Sequence, residues 1–193
     1  IIDTVDFLLD IHSMQHGPSP LMLAGPLTKG CDFAKEIGVP QIIVADAGHA
    51  AGKRLRDYGD FGKPNNPKNA LLIECGQHWE KSSAALAIET SWRFLASTKL
   101  ISDAEARSHL SPRWQGKQKL LEITEAVTIT SDDFRFVANF EGLEIFPKSG
   151  TLIAYDGEHQ ILTPYDNCVL LMPSRRLVRG ASAVRLGRYI KMN

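Results

Sequence analysis

The sequence predicts an α/β protein, with helices packed on a mostly parallel sheet in its first part and a small all-β module after it. Three observations carry that expectation. Short apolar runs near the start are separated by stretches of helical character, the alternation that builds parallel sheets. Turn-forming residues bound each run. Beyond Ser111-Pro112 the helical character stops, and short β-type runs follow one another between Gly, Pro, Asp and Asn. The change falls near residues 111–118, giving expected domains at 1–115 and 116–193.

Taken in order, Val5-Asp6-Phe7-Leu8-Leu9-Asp10-Ile11 is apolar enough for a buried strand that ends at Asp10 and His12. Gly17-Pro18-Ser19-Pro20 marks a loop. Thr28 to Ile37 predicts a short helix closed by Gly38, with Pro40 beyond it as a stop. Gln41 to Ala45 is a second strand, and Asp46 stands where it would cap a following helix. Tyr58 to Asn69, rich in Gly, Pro and Asn, predicts a surface loop long enough to be functional. Ala70 to Cys75 is a third strand, broken by Gly76. A long helix follows from Lys81 to Ser97, with Ala85, Ile88, Trp92 and Leu95 on one face. Downstream, Glu125–Thr130, Phe134–Phe140, Thr151–Tyr155 and Cys168–Met172 predict the strands of a small antiparallel module.

Composition narrows the classes of function. With 193 residues against about 150 per domain, the chain fits one large domain, or a medium one with an appendage. Hydrophobic residues at 44% and charged residues at 23% are ordinary for a globular protein. Lys plus Arg and Asp plus Glu both number 22, which leaves no net field to hold nucleic acid or an anionic membrane. No apolar run approaches the roughly 20 residues that span a bilayer. The expected partner is therefore a small-molecule substrate, with no nucleic acid and no membrane, and the apolar strands also admit a homo-oligomer. Cys31, Cys75 and Cys168 are dispersed and odd in number, which predicts reduced thiols and a cytoplasmic location. The opening Ile1-Ile2-Asp3 has neither a signal peptide nor an initiator Met and reads as part of a longer or processed polypeptide.

Chemistry-bearing residues gather at the predicted strand ends, where open α/β sheets bind ligands. In Asp10-Ile11-His12-Ser13 the imidazole suits a metal, and the carboxylate suits the role of fixing its tautomer; the same pair also reads as a structural hydrogen bond. Glu74, in Ile73-Glu74-Cys75-Gly76-Gln77-His78-Trp79, is a carboxylate closing an apolar strand, a costly position unless it is paired or used. Such a Glu serves a metal hydrolase by moving a proton from water to the leaving group, or pairs with an Arg at a strand rim. Gln77 and His78 line any pocket there by adjacency. Asp46, in Ala45-Asp46-Ala47-Gly48-His49, reads as a helix cap or as a carboxylate supporting a ligand. His16, His49 and His78 add potential ligands without the close pairing of zinc helices, while His109 and His159 read as surface residues. Cys75 near His78 admits a thiol nucleophile, although a small apolar core residue is the commoner role. Arg175, Arg176, Arg179, Arg185 and Arg188 read as a solvated face or an anion-binding patch. No phosphate loop, dinucleotide fingerprint or serine-hydrolase elbow is present.

In their order, the strand ending in Asp10-x-His12, the later strand ending in Glu74-x-Gly76 and the β-rich tail resemble the succinylglutamate desuccinylase/aspartoacylase family. The tail from Thr163-Pro164-Tyr165-Asp166 through Met172-Pro173 to Ala183-Val184-Arg185-Leu186-Gly187 is similar to the ending of a bacterial branch of such deacylases. The resemblance implies a carboxypeptidase-like α/β fold with a C-terminal β domain. It also implies a zinc cofactor and hydrolysis of an amide bond in a small N-acylated amino acid or related compound. By the same resemblance His12 is one zinc ligand, supported by Asp10, and Glu74 is the catalytic carboxylate. The family's early His-x-x-Glu motif and the substrate-binding Arg and Asn that follow it have no counterpart here. The alternatives are an inactive fragment on the same fold, or a non-enzymatic ligand-binding protein.

Overall fold

The computed structural model describes residues 1–16, 19–47, 54–112 and 116–192. They pack into two compact units, one reaching Leu120 and including Lys191 and Met192, the other running from Leu121 to Ile190.

The first unit holds β1 (Phe7–Met14), β2 (Leu21–Leu23), α1 (Thr28–Ile37), β3 (Ile42–Ala45), β4 (Asn69–Gln77), α2 (Lys81–Ser97) and α3 (Asp103–Arg107). Its strands lie in the order β1-β4-β2-β3. β1 and β4 run parallel, as do β2 and β3, while β2 is antiparallel to β4. Register and the two-residue alternation of strands sort the side chains onto two faces. Leu71 and Ile73 share one face with Met22 and Ile43, and there they pack with Phe33, Ala34 and Ile37 of α1 and Leu86 of α2. The other face carries Asp10, His12, Leu72, Glu74, Leu21, Leu23 and Val44.

Local sequence explains most of these limits. α1 ends where expected, because Gly38 takes a left-handed φ of +78° and its N–H donates to Ala34 O. β4 does not break at Gly76 as the sequence suggested. Gly76 adopts φ +111°, and the strand continues to Gln77 while its register against β1 shifts between His12 and Met14. The segment expected as a surface loop, Tyr58 to Asn69, contains one 3-10 turn, Gly59–Gly62, and a second, Leu55–Asp57, directly precedes it. Its remainder is tied down by Lys29, whose ammonium donates to the carbonyls of Lys63, Asn66 and Lys68 at 2.8, 2.9 and 2.7 Å.

α2 spans the expected residues but turns a different face inward. Ser83, Leu86, Glu89 and Thr90 are buried, with Ala87 and Phe94 packed against the core, whereas Ile88 is 59% exposed. The inner face carries a charge, which is made acceptable by pairing. Glu89 accepts from Arg93 Nε at 2.8 Å and from Ser111 N at 2.8 Å. Trp92, on the expected face, stacks instead on His109 at 3.9 Å.

The second unit contains β5 (Lys119–Thr128) from Leu121 onward, β6 (Phe134–Phe136), β7 (Ile145–Phe146), β8 (Leu152–Asp156), β9 (His159–Leu162), β10 (Cys168–Leu171) and β11 (Ser182–Ile190). They form the orders β5-β11-β10-β7 and β6-β8-β9, and β10 pairs antiparallel with both β11 and β7. An edge-to-face run of Phe134, Phe136, Phe140 and Phe146, with centroids 5.2, 5.8 and 5.6 Å apart, lines its core. Asp156 closes a turn: Oδ2 accepts from Thr130 N and Oγ1 at 2.8 and 2.6 Å, and Oδ1 from Ser131 N and Oγ at 2.9 and 2.6 Å. Those donors, the two hydroxyls first, hold its carboxyl well below the usual carboxylate range. No helix among the described residues is long and apolar enough to cross a membrane.

Two stability measurements check this packing. Leu86→Ala should cost about 2–5 kcal/mol in denaturant unfolding, while Ile88→Ala should cost no more than about 0.5 kcal/mol; the reverse order would mean that the outer stripe is the core. Because the folded-state pKa of Asp156 is depressed, its contribution is present above the ordinary 3.8 and lost as pH falls through the folded value. Asp156→Asn should therefore lower the unfolding midpoint at neutral pH and do so progressively less in acid. A pH-independent difference would contradict this.

Candidate active site

β1 and β4 are parallel neighbours, so their carboxyl ends finish together, and the register sets Asp10 opposite Leu72 and His12 opposite Glu74. His12 and Glu74 thus share a face at the end of adjacent strands. On its other side β4 is paired to β2, with Leu21 opposite Glu74. Enclosed between two strands, Glu74 is 8% exposed, and its Oε2 has no hydrogen-bond partner among the described residues. Burial raises its pKa above the ordinary 4.5. The charges of His12, Arg54 and His78 pull the other way, Asp10 adds to the rise, and burial prevails.

The flanking side chains are held in pairs. His12 Nε2 lies 2.9 Å from Asp10 Oδ1, so a ring that donates there presents Nδ1 as its free lone pair. Asp46 is buried, and the stretch it was expected to cap runs into residues 48–53, which lie outside the described residues. Asp46 Oδ2 accepts from Arg54 Nη1 at 3.2 Å, and its carbonyl accepts from Arg56 Nη2 at 2.8 Å. Arg54 was missed in the sequence; neither its spacing nor its neighbours signalled that it would act on Glu74. Past Glu74, His78 meets Ser13 at 2.6 Å between Nδ1 and Oγ, and His78 N donates to Met14 O at 3.0 Å. Gln77 is partly exposed, and its carbonyl accepts from Ser83 Oγ at 2.7 Å. Of the sequence-derived candidates, the structure brings Asp10, His12, Glu74 and His78 into one neighbourhood and sets Asp46 behind Arg54.

The thiol alternative fits poorly. Cys75 is buried on the core side of β4, and burial, then the charge of Glu74, pushes its thiol up to about 11. All three cysteines are free and buried.

His12 has the chemistry of a zinc ligand, but catalytic zinc takes three protein ligands. Among the described residues no group of three His, Cys, Asp or Glu side chains converges to hold a metal. His49, one of the additional candidates, lies outside the described residues. The described residues therefore fit one ligand position and do not complete a zinc centre.

No protein-family model and no curated protein matches the chain. Solved structures do. Succinylglutamate desuccinylase from Vibrio parahaemolyticus is similar with a TM-score of 0.64 at 17% identity, over 95% of this chain and 53% of that one. A succinylglutamate desuccinylase/aspartoacylase from Rhodobacter sphaeroides gives 0.65 at 10% identity, over 100% of this chain and 61% of that one. An aspartoacylase family protein from Mesorhizobium loti gives 0.57 at 15%, over 97% and 64%. At these identities the likeness establishes the fold, which is the one the sequence resemblance implied, and the chain spans only part of the length of each of these proteins.

The electrostatics of Glu74 give a direct test. A carboxyl whose folded-state pKa is raised binds its proton more tightly in the native state, so stability falls as pH rises from the ordinary 4.5 through the folded value. Glu74→Gln, neutral throughout, escapes that loss. Its stability relative to the unmodified protein should rise between mildly acid and neutral pH, and a flat or falling difference would contradict the raised pKa.

Proposed function

We propose that the chain carries part of the active site of a hydrolase of the succinylglutamate desuccinylase/aspartoacylase family, a deacylase that cleaves the amide bond of a small N-acylated amino acid or related compound. The observation that carries the proposal is Glu74, buried, with one oxygen unpartnered among the described residues, beside His12 at the end of two parallel strands.

Glu74 suits both halves of the reaction. As a water oxygen bonds to the amide carbon, Oε2 accepts the proton that the water loses. The tetrahedral carbon then releases its nitrogen, the C–N bond breaks, and Glu74 returns the proton to the departing amine. The products are a carboxylic acid and an amine, which in solution become carboxylate and ammonium, and Glu74 ends in its starting state. Burial eases the middle of this cycle, because it favours the protonated carboxyl that must donate. Arg54 and the histidines oppose that rise.

Zinc is the proposed cofactor, with His12 as one ligand and Asp10 fixing its tautomer; bound there, it would polarise the carbonyl and acidify water. The buried, unpaired cysteines support a reducing, cytoplasmic setting.

The test is release of free amine from N-succinyl and N-acetyl amino acids, with zinc supplied. Glu74→Gln should lower kcat/KM by about 10²–10⁴-fold, mostly through kcat, with an unchanged circular dichroism spectrum. Equal rates for both proteins would remove Glu74 from the chemistry. Absence of hydrolysis across the series would favour the inactive-fragment alternative.

A further inference from the structure

Ser13 and His78 form a pair that proton transfer by Glu74 leaves unused. Ser13 belongs to the end of β1, and His78 follows the last residue of β4. Ser13 Oγ and His78 Nδ1 lie 2.6 Å apart. The same strand ends are joined a second time through His78 N and Met14 O at 3.0 Å. The histidine is therefore fixed by both its backbone and its ring.

The roles in this pair depend on the tautomer of the ring: where Nδ1 carries no proton, it accepts from the Ser13 hydroxyl. A neutral imidazole that accepts at Nδ1 carries its proton on Nε2. His78 is exposed, so that N–H is open to a ligand, and the residue is close enough to Glu74 to act on that carboxyl. Gly76 makes this placement. Its φ of +111° turns the chain after Glu74, and β4 still reaches the pairing of Gln77 with Met14. A Cβ at Gly76 would come within 2.8 Å of Ser83 Oγ, the hydroxyl that holds the Gln77 carbonyl.

We propose that His78 binds substrate, donating from Nε2–H to an oxygen of the N-acyl compound, and that Ser13 is the positioning residue that keeps the ring in that tautomer. The proposal rests on the deacylase assignment for its substrate and adds a recognition element beside Glu74. The ligand class that fits is an N-acyl compound with an oxygen that accepts a hydrogen bond from a neutral donor.

Long-range ¹H–¹⁵N spectra of the histidines, recorded at mildly alkaline pH on the ¹⁵N-labelled chain, read the tautomer without any need for turnover. His78 should be protonated at Nε2, and Ser13→Ala should lose that preference. Titration with N-acetylglycine at millimolar concentration should shift the His78 Nε2–H signals, and the apparent affinity should drop several-fold in Ser13→Ala. His78→Gln, which keeps an N–H donor, should retain more of that affinity than His78→Ala. Protonation at Nδ1, a tautomer unchanged in Ser13→Ala, or equal losses in the two His78 variants would overturn the proposal. A probe that shifts the signals of Glu74 and Leu21 while leaving His78 untouched overturns this inference alone. A probe that moves neither set also overturns it, and the deacylase assignment falls separately only if Glu74→Gln leaves amide hydrolysis unchanged.

Discussion

Burying a carboxylate at the end of a paired strand is the constraint around which the first unit is arranged. Glu74 has β1 on one side and β2 on the other, and a charged group so enclosed costs several kcal/mol unless it is compensated or spends part of its time protonated. The structure does both in part. Groups that oppose the rise in its pKa face it from three directions: His12 from β1, His78 from beyond the bend, and Arg54 from the segment after β3. Each is itself restrained, His12 by Asp10, His78 by Ser13 and Arg54 by Asp46. The compensation stops short of a direct hydrogen bond to Oε2 among the described residues. An oxygen left in that state retains its basicity toward an incoming proton, which is the property a hydrolase needs.

The second unit is organised by different means. Its strands are short, and its cohesion comes from an aromatic run and from side chains that close turns, with Asp156 binding four donors at once. Its buried charges are either saturated with hydrogen bonds, like Asp156, or drawn into strands, like Arg185 on β11.

Periodicity and punctuation made much of the first unit legible in the sequence. α1 was readable because Gly38 and Pro40 both follow its last apolar residue, and α2 because no breaker interrupts it. Its inward face was not readable, since burial of Glu89 depends on Arg93 and on a backbone N–H 22 residues away at Ser111. β2 escaped notice because three residues are too few to show a period. Gly76 looked like a strand end because the residue permits a break; only the pairing with Met14 shows that it makes a bend. At the site, Asp10, His12 and Glu74 stood out as polar residues ending apolar runs. Arg54 and Ser13 did not, because their significance lies in partners distant in sequence or across a strand.

Proton transfer by Glu74 requires a buried carboxyl that holds its proton more tightly than an ordinary one. The most direct measurement is a ¹³C titration of the glutamate side-chain carboxyls, with the Glu74 resonance assigned by its loss in Glu74→Gln. The account predicts a midpoint clearly above the ordinary 4.5, moving higher still when His12 is replaced by Ala and its counter-charge is removed. A midpoint at or below 4.5 that ignores the His12 change would show a solvated or fully paired carboxylate, and the proposed proton carrier would be lost with it.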